Sequence, residues 1–81
     1  MGLSDLLDEL SEEIPDVLEA LEDADPEDDD DVADARDLAE TFLERYQEAL
    51  EELDDQKEVM KLQRTVGLQV EKIKGLLSRL P

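Results

Sequence analysis

Leucine, isoleucine and valine return along the first 21 residues in alternating steps of four and three, at Leu3, Leu7, Leu10, Ile14, Val17 and Leu21. At about 100° per residue this spacing collects all six side chains into one apolar stripe on a helix, whereas a strand face needs a period of two. The stripe predicts a first helix over 3–23. Pro15 falls inside it, removing one N–H and crowding the carbonyl of Ser11. The expected form is therefore a kinked helix, or two short coaxial ones with Ser11 helping to cap the second. The stripe keeps its phase across the proline in either case.

The pattern lapses over 24–31, where Pro26 and the run Asp28 to Asp31 make a stretch too polar to bury and too repulsive to compact. This reads as an acidic linker. Asp30 or Asp31 is the expected N-cap of a second helix over 32–54, with Asp34 and Asp37 near the positive end of its dipole. Its apolar positions are Leu38, Ala39, Phe42, Tyr46, Ala49, Leu50 and Leu53. Phe42 and Tyr46, the only aromatics, stand one turn apart and are the expected core anchors together with Leu50 and Leu53.

No Gly or Pro separates this segment from the next, so propensity alone allows one continuous helix. Phase argues otherwise. The stripe of Val59, Leu62, Val66, Val70, Ile73, Leu77 and Leu80 lies roughly 160° from that of the second segment. Supercoiling recovers only about 20° per heptad, too little to align the two. A turn near Asp54 to Gln56 is expected instead, with Asp55 as N-cap and Glu58 three residues on forming a capping box that opens a third helix over 57–80.

In this third segment Val59, Val66, Ile73 and Leu80 recur at intervals of seven, with Leu62 and Leu76 between them and Gln69 as the polar interruption. Such spacing resembles a coiled-coil seam, and these six apolar residues are the expected association surface. Lys57, Lys61, Arg64, Lys72 and Arg79 gather within roughly 80° on the opposite side, interrupted by Leu68 and Glu71. This basic stripe is either a solvated face or a surface for an acidic or phosphate-bearing partner. Gly67 and Gly75, isolated inside the helical pattern, either permit close helix approach or weaken the helix.

Charge is divided along the chain. Residues 1–31 hold fifteen Asp and Glu and no Lys or Arg, residues 32–56 nine against two, and residues 57–81 two against six, for a net charge of −18. At 81 residues there is one small domain, with neither cysteine nor histidine to staple it by disulfide or zinc, so self-association is the expected support. The N-terminus lacks the basic and apolar regions of an export signal, and no stretch approaches eighteen apolar residues. A cytoplasmic or virion-internal location is expected.

Without His or Cys the common general base, thiolate nucleophile and zinc ligands are missing, and no serine or threonine has a visible activating partner. The Asp28 to Asp31 run lacks the spaced ligands and turn glycine of a calcium loop, and the glycines form no phosphate cradle, so neither metal nor cofactor is implied.

The expected fold is all-α: a kinked first helix packed along an antiparallel hairpin of the second and third, coiled-coil-like and oligomeric. The expected function is a non-enzymatic acidic interaction or assembly module, a structural or adaptor subunit, with a protein partner and a homodimer favoured. Direct DNA binding and membrane association are not expected. Two alternatives are an acidic mimic of a nucleic-acid backbone that inhibits a DNA- or RNA-binding protein, and a peripheral anchor that uses the basic third helix. Scarce lysine, abundant aspartate and few aromatics resemble the composition of proteins adapted to high salt.

The pairs Asp5 and Glu9, Asp8 and Glu12, Glu9 and Glu13, Glu12 and Asp16, and Glu19 and Asp23 stand four residues apart, each opposing helix formation by a few tenths of a kcal/mol at low ionic strength. Helical circular dichroism should therefore rise between about 0.05 M and 2 M KCl, a range that spans strong to negligible charge–charge interaction. A flat or falling signal would show that carboxylate repulsion does not limit folding.

Overall fold

The computed structural model describes residues 2–81 and contains three helices, α1 (Leu3–Asp23), α2 (Asp29–Glu52) and α3 (Gln56–Ser78), with no strand among the described residues. They form an elongated body measuring 44 × 19 × 17 Å. α1 packs on both α2 and α3, more extensively than those two pack on each other.

α1 continues through Pro15 as one assigned helix, so the division into two short helices does not occur. Ser11 and Pro15 are both exposed, so the turn that loses a hydrogen bond to the proline lies on the solvent side of α1. Leu10, Ile14, Val17 and Leu21 are buried, while Leu3 and Leu7 pack partly buried at the edge of the core.

The linker is shorter than its composition implies. Pro26 occupies the second position of a turn in which the Asp25 carbonyl accepts from the Asp28 N–H at 2.9 Å. The Asp25 carboxylate accepts from the Glu27 N–H, also at 2.9 Å. This turn ends the irregular chain at Asp28, whose carboxylate caps α2 by accepting from the N–H groups of Asp30 and Asp31 at 3.0 and 3.3 Å. The expected caps, Asp30 and Asp31, are thus the capped residues, and with Asp29 they occupy the first turn, where the helix dipole favours negative charge. Asp34 and Asp37 lie beyond that turn.

The second break falls where the phase shift places it. α2 ends at Glu52 and α3 begins at Gln56, with Asp55 accepting from the Lys57 N–H at 2.9 Å. The capping box itself does not form: the Asp55 carboxylate accepts from Lys57 and not from Glu58, whose N–H bonds the Asp55 carbonyl at 3.0 Å, and the Glu58 carboxylate makes no reciprocal bond among the described residues. α3 closes at Ser78, two residues short of the expected end, with the Arg79 N–H bonded back to the Leu76 carbonyl at 3.1 Å.

The core draws Leu10, Ile14, Val17 and Leu21 from α1, Ala35, Ala39, Phe42, Tyr46 and Ala49 from α2, and Leu62, Val66, Val70 and Ile73 from α3. On α2 the buried row also includes Val32 at its start, while Leu38 is 42% exposed. Small alanines flank the two aromatics there, so that Phe42 and Tyr46 fill the middle of the row and short side chains its ends. Leu62 and Ile73 are completely covered and Phe42 nearly so; burial of side chains of this size stabilises by about 1.5–3 kcal/mol each.

Neither helical glycine mediates a close approach. A Cβ built on Gly67 or Gly75 meets nothing within 4 Å, and neither residue has positive φ. Gly67→Ala and Gly75→Ala should each stabilise the fold by about 0.5–1 kcal/mol by restricting the unfolded chain and improving helix propensity. Urea unfolding at fixed salt measures this. Destabilisation by either alanine would mean that these sites are tightly packed.

Candidate functional site

The weaker packing between α2 and α3 leaves an open groove of about 630 Å³ along the surface between them. Its α2 wall carries Tyr46, Gln47 and Leu50, and its α3 wall carries Arg64, Gly67 and Leu68. Helical spacing explains the grouping: residues three and four apart share a face, so one flank of each helix supplies a row while the next flank enters the core. Tyr46 straddles both, buried to 9% exposure yet part of the groove wall. Leu68 is 84% exposed, the most uncovered large apolar side chain among Leu38, Met60 and itself.

The basic stripe occupies the neighbouring outer face of α3, where Lys57, Lys61, Arg64, Lys72 and Arg79 are all exposed. Lys72 turns toward α1 and pairs with Glu22 at 3.9 Å, and Lys74, outside the expected set, pairs with Glu71 at 3.8 Å. Lys57, Lys61, Arg64 and Arg79 make no salt bridge among the described residues. A positive strip thus remains on a molecule of net charge −18.

The proposed coiled-coil seam is divided differently. Leu62, Val66 and Ile73 are buried inside the chain at 1% exposure or less, so in this fold they present no surface to another molecule. Val59, Leu76 and Leu80 are partly buried, the latter two packing against the same core. The physical reason is that a seven-residue apolar repeat satisfies a bundle core as well as an intermolecular seam, and α1 reaches this face first. Leu50 and Leu53 pack at the core edge, with Phe42 and Tyr46 inside it.

Arg45 and Arg36 had no assigned role in the sequence pattern. Arg45 reaches from α2 to α1, where its guanidinium bonds the Glu13 carboxylate and lies 4.0 Å from that of Glu9. Arg36 donates to the Pro81 carbonyl at 2.7 Å. One signal for Arg45 lay in the sequence: it is among only two cations of residues 32–56, against a helix that has none.

No group of three or more metal-binding side chains occurs among the described residues, and no helix there is long and apolar enough to cross a membrane. Further clefts lie between α1 and its neighbours. One has a floor of Ala20, Ala24 and Ala35 with a rim of Asp23, Asp31 and Asp34, and another joins Ser11 and Pro15 to Thr65 and Gln69. Comparison with known proteins finds no matching family model, no matching curated protein and no matching solved structure.

One titration is perturbed in the groove. Burial raises the Tyr46 pKa above its ordinary value of 10.0, and the negative charge of Glu71 across the groove raises it further. Below about pH 10 the phenol is neutral in both folded and unfolded chains; above it the unfolded chain releases the proton first, so stability falls as pH rises through the raised folded value. Because this is the only tyrosine, phenolate absorbance isolates it. Folded protein should titrate above 10.0, and Tyr46→Phe should lose less stability than wild type on alkalinisation. Titration at the ordinary value would place the hydroxyl in free solvent.

Proposed function

We propose that the chain is a non-enzymatic, acidic helical module for protein–protein interaction or assembly, a structural or adaptor subunit suited to a salt-rich cytoplasm. The observation that carries this reading is the segregation of opposite charge onto different faces of one small core. α1 and the start of α2 are uniformly acidic, whereas the outer face of α3 keeps Lys57, Lys61, Arg64 and Arg79 without intrachain partners among the described residues. A face of one sign beside the exposed Leu68 and the groove it borders suits docking to another macromolecule.

In this reading α2 and α3 form an antiparallel pair, with Arg36 brought beside Pro81 and Tyr46 level with Val70, and α1, bent at Pro15, lies along both. The favoured partner is a second copy. A bundle of this size has little core of its own, and an additional buried face would stabilise it. The nucleic-acid mimic is disfavoured because a mimic of a phosphate backbone would not present an uncovered cationic strip.

Light-scattering mass across a concentration and KCl series tests the reading. The expected result is a mass of twice the chain at about 1 M KCl, with dissociation at about 0.05 M, where the repulsion between two strongly negative chains is least screened. A single-chain mass under every condition would refute self-assembly.

A further inference from the structure

Resting on that reading, we propose that the α2–α3 groove is the homodimer interface, closed by a two-fold axis running along the groove so that each α3 lies over the partner's α2. Leu68 is the central element. A leucine 84% exposed in the middle of α3 stands at the rim of a groove whose walls include Tyr46, Leu50 and Gly67. In a face-to-face pair, Leu68 of each copy enters the groove of the other.

Charge selects this axis over the alternative. The α3 rim is net basic: Arg64 and Lys74 outnumber Glu71, the partner of Lys74, in the groove wall, and Lys61 and Lys57 stand one and two turns before Arg64. The α2 rim is acidic, because Glu40, Glu44 and Glu51 stand seven, three and four residues from Gln47 and share its exposed flank. An axis across the groove would set α3 on α3 and α2 on α2, placing like charges together. An axis along it sets each basic rim on an acidic one, twice over, and closes the pair without free ends.

The antiparallel register, fixed by Arg36 beside Pro81, then places Arg64 near Glu51 of the partner subunit and Lys74 near Glu44 of the partner subunit. The long face of the body, 44 by 19 Å, matches the roughly 800 Å² that each partner contributes to a standard interface.

Sedimentation-equilibrium measurement of Leu68→Asp, Arg64→Glu and Glu51→Arg tests the proposal. All three positions are exposed, so circular dichroism should report unchanged helicity. Leu68→Asp should weaken dimerisation about ten- to a hundredfold, the loss expected when a buried leucine contact becomes a charge. Arg64→Glu and Glu51→Arg should each be monomeric alone, while an equimolar mixture of the two should dimerise, because both contacts of the mixed pair are again oppositely charged. A wild-type dimer that none of these variants weakens, or single charge variants whose mixture stays monomeric, overturns the groove interface and leaves the assembly reading standing. A wild-type monomer throughout overturns both.

Discussion

The fold depends on α1 adhering to two helices that hold each other less well. α1 is also the most repulsive element, with nine carboxylates and no cation of its own between Leu3 and Asp23. Its hold comes from Leu10, Ile14, Val17 and Leu21, which bury against both neighbours at about 1.5–3 kcal/mol each, an order of magnitude above the few tenths lost at each like-charged pair. Apolar burial therefore decides where α1 sits. Summed over several pairs, however, the repulsion is comparable with the few kcal/mol of net stability that a chain this small possesses, and salt keeps its leverage.

Cations from other helices moderate that repulsion at particular points. Arg45 bridges toward both Glu9 and Glu13, one of the pairs whose spacing opposes helix formation, and Lys72 meets Glu22. These groups are about half exposed, so each contact contributes at most about 1 kcal/mol, and their larger effect is to select which faces meet. α1 can rotate on its neighbours only by giving up these pairings together with its buried row.

How much of this could be read from the residues differs by element. The α1 stripe, the helical class and the break before α3 follow from periodicity, because a phase shift near 160° cannot be hidden in a straight helix. The cap of α2 is not legible from residue type, since Asp28, Asp30 and Asp31 are chemically identical and only the turn built by Asp25 and Pro26 decides that Asp28 faces the helix end. On α2, hydrophobicity favoured Leu38 over Ala35, yet three-and-four spacing back from Ala39 and Phe42 runs through Ala35, and packing follows the spacing. The α3 heptad was legible as an apolar face but not as to what covers it. An internal helix and a second molecule demand the same pattern, and only the position of α1 assigns Leu62, Val66 and Ile73 to the chain's own core.

The same geometry explains how a positive face persists on so negative a molecule. The body is 17 to 19 Å across its short dimensions, whereas charges in about 0.1 M salt act over about 10 Å and in 1 M salt over about 3 Å. Only Lys72 of the stripe meets an α1 carboxylate, that of Glu22, directly, while Lys57, Lys61 and Arg64 make no ion pair among the described residues and act as a local cationic surface. Net charge opposes approach only at low ionic strength. In the proposed dimer, long-range repulsion between copies would fade as salt rises before contacts at a few ångströms do, and recognition would pass from the sign of the whole chain to the sign of each rim. An acidic composition and a charge-complementary contact between like chains are then compatible, and high salt is the condition that lets them coexist.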